Sequence, residues 1–185
     1  GVQTCALPIF GDNAPINAPT NSRNVTSPLD AIEIADNSGG AQGNQSSFTH
    51  ILSPQDLAKA QANGFGFNSL TRVISHPGNP VTNGSVRMNA QLWNKTFYLH
   101  IGKSGNDILL HMRTQNPVIQ GIQKTLPGIA NGYNFYELRG NPLTQTVDLY
   151  VNNALVQANW GGFPGMLGGA GFLEVGSNAS ADVGT

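Results

Sequence analysis

Seven residues concentrate the hydrogen-bonding chemistry of this chain: Arg87, Asn89 and Gln91 in SVRMNAQLW, Tyr98 and His100 in TFYLHIG, and His111 and Arg113 in DILLHMR. Within each segment they fall at every second position. In a strand, alternate side chains share a face, so all seven are expected on one side of a sheet. Val86, Met88 and Ala90, then Phe97, Leu99 and Ile101, then Ile108, Leu110 and Met112 would occupy the other side. Planar polar forks beside an aromatic surface are the mixture that binds sugars, the forks matching hydroxyls and the ring matching the apolar sugar face. A half-exposed antiparallel sheet also turns alternate polar residues to water without any ligand, and both accounts stay open at this level.

Other chemistries are poorly served. His100 and His111 are expected as cross-strand neighbours, but zinc wants three or four close ligands, and no third His, Cys or carboxylate is spaced to join them. No metal site is therefore assigned. Calcium lacks a D-x-D-x-D loop; Asp12, Asp30, Asp36 or Asp182 could supply oxygens with backbone carbonyls, which leaves calcium open and unassigned, and no other cofactor is expected. In AIEIAD, Glu33 and Asp36 are three residues apart, whereas a retaining glycosidase needs two carboxyls about 5 Å apart on one face. Tyr98, His100, His111 and Arg113 are the group that could fill the neutraliser and acid/base roles of a lyase. GGFPGMLGGAG has the glycines of a phosphate loop but neither its Lys-Ser/Thr nor its strand–loop–helix setting; it reads as a rim loop with Phe163, Met166 and Leu167 as ligand contacts or cap residues.

With 185 residues, one domain is the default. Only 10% of residues are charged and the net charge is −1, so the chain has no basic field for nucleic acid and no polybasic segment for an anionic membrane. Nucleic-acid binding and membrane insertion are not expected. The 23 glycines and 11 prolines suit short strands joined by many turns.

Residues 1–10 are set apart. GVQTCALPI back-translates, with permitted codons, to a stretch that resembles a short-read sequencing adapter, and Phe10 fits its trailing T. Cys5, the single cysteine, falls inside it, so no disulfide or thiolate argument is made. The domain is expected over residues 11–185, cut at both ends.

The elements that must carry the seven residues follow from local patterns. Residues 11–28 read as loop, Ala31–Ala35 as a short strand and Asn37–Ser47 as loop. SPQDLAKAQANG is one clear surface helix, with Ser53 as N-cap, Pro54 at N1, Asp56 near the positive end of the dipole and Gly64 as the stop. Strands are expected at Phe65–Ile74, Ser85–Trp93, Thr96–Gly102 and Asp107–Arg113, with Ser104-Gly105-Asn106 as a hairpin loop, and one more strand and a turn within 114–131. Tyr133–Leu138, a turn at Gly140–Leu143, TQTVDLYV, the Asn152-Asn153 turn and Ala154-Leu155-Val156 form three consecutive antiparallel strands, with Val147, Leu149 and Val151 directed to the core. Phe172–Gly176 is a late strand. The fold class is all-β: an antiparallel β-sandwich with one short surface helix.

TVDLYVNNALV resembles the late hairpin of concanavalin A-like lectin/glucanase domains, the jelly roll shared by laminin-G-like, pentraxin and many bacterial exoprotein modules, where V-x-L-Y-V-[DN]-G-x-L is typical. Here Asn153 stands where Gly is commonest. The helix followed by NGFGFNSLTRVI is similar to the entry of lectin-like domains in bacterial sialidases, matched by Leu70, Arg72 and Val73. The resemblance implies a non-catalytic carbohydrate-binding or adhesion module of a secreted or cell-surface bacterial protein. Its enzymatic alternative is a glycoside hydrolase or polysaccharide lyase of the same fold, and a purely structural domain is the third reading. It also implies one further strand beyond residue 185. The laminarinase-like E-x-D-x-x-E strand of this fold is not matched, because Ala35 stands where its second carboxylate belongs.

Overall fold

The structure, a computed structural model, describes residues 23–26, 31–34, 47–73, 86–114, 121–165 and 170–176. Outside them lie the adapter-like segment with Cys5, the aspartates Asp12, Asp30, Asp36 and Asp182, the rim residues Met166 and Leu167, and Ile74.

The described residues form strands β1 Arg23–Thr26, β2 Ala31–Ile34, β3 Ser47–Ile51, β4 Phe65–Thr71, β5 Val86–Leu92, β6 Lys95–Ser104 and β7 Asp107–Arg113. They continue as β8 Gly121–Leu126, β9 Asn134–Asn141, β10 Thr146–Val151, β11 Ala154–Trp160, β12 Phe163–Pro164 and β13 Phe172–Gly176. One helix, α1 Pro54–Asn63, lies between β3 and β4. A four-stranded sheet has the order β11-β10-β9-β4, and a seven-stranded sheet runs β3-β13-β5-β6-β7-β8 with β12 beside β6; β1 and β2 pair separately. The pairings are antiparallel. The all-β sandwich with one helix is what alternation in the sequence requires.

The core lies between the two sheets. Met88, Ala90, Leu92, Phe97, Leu99, Ile101, Leu110 and Met112 of the larger sheet pack with Tyr136, Leu138, Val147, Leu149 and Val151 of the smaller. Val147 and Leu149 are 0% exposed and Val151 is 3% exposed, as their alternation with Thr146, Asp148 and Tyr150 predicts. Each such aliphatic chain contributes about 1.5–3 kcal/mol through the apolar area it removes from water.

The helix is held at both ends as its sequence dictates. The Asp56 amide donates to Ser53 Oγ at 3.1 Å, Pro54 opens the first turn, and Gly64 closes the last one at φ 84° with its N–H donating to Ala60 O at 3.0 Å. At Gly64 a Cβ would stand 2.4 Å from the Gly140 carbonyl oxygen, so this close crossing of helix end and β9 admits glycine alone. No helix residue is buried, and Leu57 and Ala60 lie against the rim of the core.

Several boundaries differ from those read in the sequence. Trp93 was expected to end a strand; instead Trp93-Asn94 is a two-residue turn between β5 and β6, with φ 52° and 56°. A bulky residue rarely adopts positive φ, so the local backbone preference is overruled by packing: the Trp93 ring lies 5.7 Å from Phe65 and 6.1 Å, edge-on, from Phe97, and its Nε1–H donates to Gln61 O of the helix at 3.0 Å. The turn expected at Gly140–Leu143 belongs partly to β9, which runs on to Asn141; the chain reverses over residues 142–145, with Gln145 at φ 52°. The hairpin after β6 is tighter than expected, Gly105-Asn106 alone separating it from β7.

Candidate binding face of the seven-stranded sheet

Strand register decides what shares a face. Arg87 pairs with His100, His100 with His111, and His111 with Gln123, a row across β5, β6, β7 and β8. One row along, Glu174 of β13 pairs with Asn89, which pairs with Tyr98. In the next row Phe172 pairs with Gln91, Gln91 with Thr96, and Thr96 with Phe163 of β12. The apolar alternates of the same strands point into the core. All seven residues singled out in the sequence therefore stand together on the sheet face turned away from the core, as their parity requires.

Exposure differs from the sequence expectation of an open polar surface. Asn89, Gln91 and His111 are 0% exposed, His100 4% and Arg87 7%. Tyr98, Arg113 and Phe163 are half-buried and form the accessible margin. A polar face removed from water must satisfy its groups internally, so it is organised by hydrogen bonds and ring contacts, not by hydration.

Its centre is an ion pair that sequence reasoning missed. Glu174 takes a hydrogen bond from Arg87 Nη2 at 2.5 Å on one carboxylate oxygen and from Asn89 Nδ2 at 2.6 Å on the other. The local signal was present: in FLEVG, Leu173 and Val175 alternate with a mid-strand Glu. Nothing local said that β13 would insert beside β5, since its partners are 85 and 87 residues away in the chain.

The rim is a stack of rings around a guanidinium. Arg113 Cζ sits 4.4 Å from the Phe163 ring centroid and 5.8 Å from that of Tyr98. Phe163, expected as a rim residue, is here brought onto the same face as Tyr98. Trp160 fixes the strand that presents Arg113, its Nε1–H donating to Arg113 O at 3.0 Å. Gln91 Nε2 donates to Ala170 O at 2.5 Å, while Thr96 Oγ1 donates within reach of Gln91 Oε1 at 3.3 Å and Gly165 O at 3.0 Å, so the glycine-rich loop is tied to this face at both its described ends.

His100 and His111 are cross-strand partners with ring centroids 5.8 Å apart. The His111 imidazole lies over Gly121 of β8, where a Cβ would stand 2.4 Å from Nε2. Burial, with the Arg113 charge adding to it, holds the His111 pKa below its ordinary value. Burial raises that of Tyr98; Arg87 and Arg113 oppose the shift and Glu174 adds to it. Both ring nitrogens of His111 and Oδ1 of Asn89 are buried without a hydrogen-bond partner. Among the described residues no three His, Cys, Asp or Glu side chains gather as a metal site, and no helix is long and apolar enough to cross a membrane.

The arrangement offers neutral donors and acceptors beside a compensated ion pair, with an aromatic margin. Glu174 is the carboxylate at the centre of the face, and both its oxygens are engaged. No family model matches this chain, and no curated protein matches it.

Proposed function

We propose that this protein is a non-catalytic, lectin-like carbohydrate-binding or adhesion module built on a jelly roll of the concanavalin A-like type, acting outside the cell or at its surface. The observation that carries this reading is the single sheet face on which Arg87, Asn89, Gln91, Tyr98, His100, His111 and Arg113 converge, away from the core. A face that served only to cover the sheet would be cheaper to build from apolar side chains, because buried polar groups gain little net stability even when paired. Sugars present hydroxyls and an apolar ring face, and the half-buried Phe163–Arg113–Tyr98 margin offers a guanidinium to the first and two rings to the second, over the buried amides and imidazoles that hold it.

A polysaccharide lyase is the second reading, favoured by one observation: His111 is disposed to stay neutral next to Arg113 and Tyr98. A neutral imidazole can take a proton and a guanidinium can neutralise a sugar carboxylate. A paired-acid glycoside hydrolase fits less well, since Glu174 is committed to Arg87 and Asn89. Incubation with a glycan array and with a panel of polysaccharides separates the readings. Retention on glycans without turnover is expected. Unsaturated product absorbing in the ultraviolet would establish the lyase, and silence in both assays would leave a structural domain.

A further inference from the structure

The four-stranded sheet ends, among the described residues, on β4 at one side and on β11 at the other. An end strand presents a row of backbone N–H and C=O groups to any chain able to pair with them. The two ends are built differently. β11 is bulged against β10, with register shifts between Val147 and Leu149 and between Leu149 and Tyr150, and a bulge bends an edge away from flat pairing. β4, FGFNSLT, pairs with β9 along its whole length without a shift, and it contains no charge and no proline.

The register settles which groups of β4 face the open side. Phe135 O accepts from the Asn152 amide, so Phe135 of β9 turns its backbone groups toward β10. That direction alternates in an antiparallel ladder, so Asn134, Tyr136, Leu138 and Gly140 face β4 and bond to their register partners Thr71, Ser69, Phe67 and Phe65. Gly66, Asn68 and Leu70 are left with their N–H and C=O groups directed outward. The same three residues lie on the outer face of the sandwich, opposite to Phe65 and Phe67, which pack against the core.

These positions are complementary to their own copy. When two β4 strands lie antiparallel about a twofold axis at Asn68, Gly66 meets Leu70 of the partner subunit, Asn68 meets Asn68 of the partner subunit, and Leu70 meets Gly66 of the partner subunit. Each pair exchanges both of its N–H···O bonds. Leu70 is 55% exposed, and a Cβ at Gly66 would meet nothing within 4 Å, so each leucine has an open place to lie. Arg139 is the register partner of Gly66 on β9, and its guanidinium is held over the Tyr150 ring at 4.1 Å; the arriving leucine covers its aliphatic stem. At the axis the two asparagine amides donate to and accept from each other. A net charge of −1 sets little repulsion between copies. A foreign strand would answer the backbone groups, but a second copy also fills the glycine position twice, once on each side of the axis.

We propose that β4 is a self-association edge across which two copies of this chain join their four-stranded sheets into one continuous antiparallel sheet, with Asn68 on the twofold axis. An edge pairing of this length is smaller than the interface of a permanent dimer, so the association is concentration-dependent.

The test is sedimentation velocity of the full chain from about 1 to about 200 μM, the range in which so small an interface exchanges. The wild type is expected to double its sedimenting mass across that range. Asn68→Lys and Asn68→Glu each place like charges opposite one another at the axis, and each should weaken the dimer about fivefold or more. An equimolar mixture of the two sets Lys against Glu and should restore it. Circular dichroism checks that both variants are folded. In the wild type, amide hydrogen exchange at Gly66, Asn68 and Leu70 should slow about fivefold or more from the lowest to the highest concentration, a readout that does not depend on any variant folding. A monomer at every concentration, an unchanged dimer in the folded Asn68 variants, a mixture that fails to restore it, or slowed exchange confined to β11 would overturn the inference.

Discussion

Glu174 on β13 and Asn89 on β5 are direct register partners, and the Asn89 amide donates to one carboxylate oxygen at 2.6 Å while Arg87 takes the other. This contact joins the late strand to the middle of the larger sheet in a place with almost no water, Glu174 and Arg87 each being 7% exposed. Removing one partner of a buried pair leaves the other charge poorly compensated. Glu174→Ala is expected to cost about 3–5 kcal/mol in urea unfolding, whereas the double change Arg87→Met with Glu174→Leu should cost far less or nothing. Equal losses in the single and the double variant would mean the pair is not the source of the effect.

The Asn152-Asn153 turn has φ 50° and 67°, the positive pair that a primed hairpin needs. The two asparagines do different work. Asn152 Nδ2 donates to Asn134 Oδ1 at 2.9 Å and its Oδ1 accepts from the Phe135 amide at 2.9 Å, so its side chain ties the turn to β9. Asn152→Gly should therefore lose about 1–2 kcal/mol, while Asn153→Gly, which only relaxes the backbone, should be neutral or slightly stabilising. Thermal melts of the two variants check this, and a reversed order would contradict the assignment.

Trp93 keeps an unfavourable backbone conformation because its ring bridges Phe65 and Phe97 and its indole holds the helix carbonyl of Gln61. Trp93→Ala is expected to destabilise the protein by about 3–5 kcal/mol. Hydrogen exchange should speed up first in the amides of α1, since the helix has no buried residue of its own. Uniform acceleration across both sheets would show that the helix is not anchored through this ring.

Stability should depend on pH through His111. Its folded pKa lies below the roughly 6.5 of an unstructured imidazole, so the unfolded chain takes up a proton that the folded chain refuses. Stability is then full above about pH 6.5 and falls as the pH drops from there toward the depressed folded value. Urea midpoints measured from pH 7.5 to 5 should show this decline in the wild type and a shallower one in His111→Phe; parallel profiles would remove His111 as the cause.

Much of the molecule could be read from short windows. Alternation placed Val147, Leu149 and Val151 in the core and assigned the seven polar residues to one face. Ser53, Pro54 and Gly64 bounded the helix, and two successive asparagines announced a primed turn. Each of these is a local property, set by the period of the strand, by the unsatisfied amides of a helix end, or by which side chains tolerate positive φ.

What needed the folded chain was adjacency. That β13 enters between β3 and β5, so that Glu174 meets Arg87 and Asn89, is a pairing of segments some 85 residues apart, and no periodicity encodes the choice of neighbour. That Trp93 turns a corner follows from rings and a helix carbonyl that converge only after packing. And that the polar face is enclosed, with Asn89 and His111 fully buried, could not be inferred from alternation, which sorts side chains between two faces but is silent on what each face meets. Local sterics and hydrogen bonding wrote the strands; the burial of apolar area shared by distant segments chose how they were stacked, and with it the environment of every group that could bind a ligand.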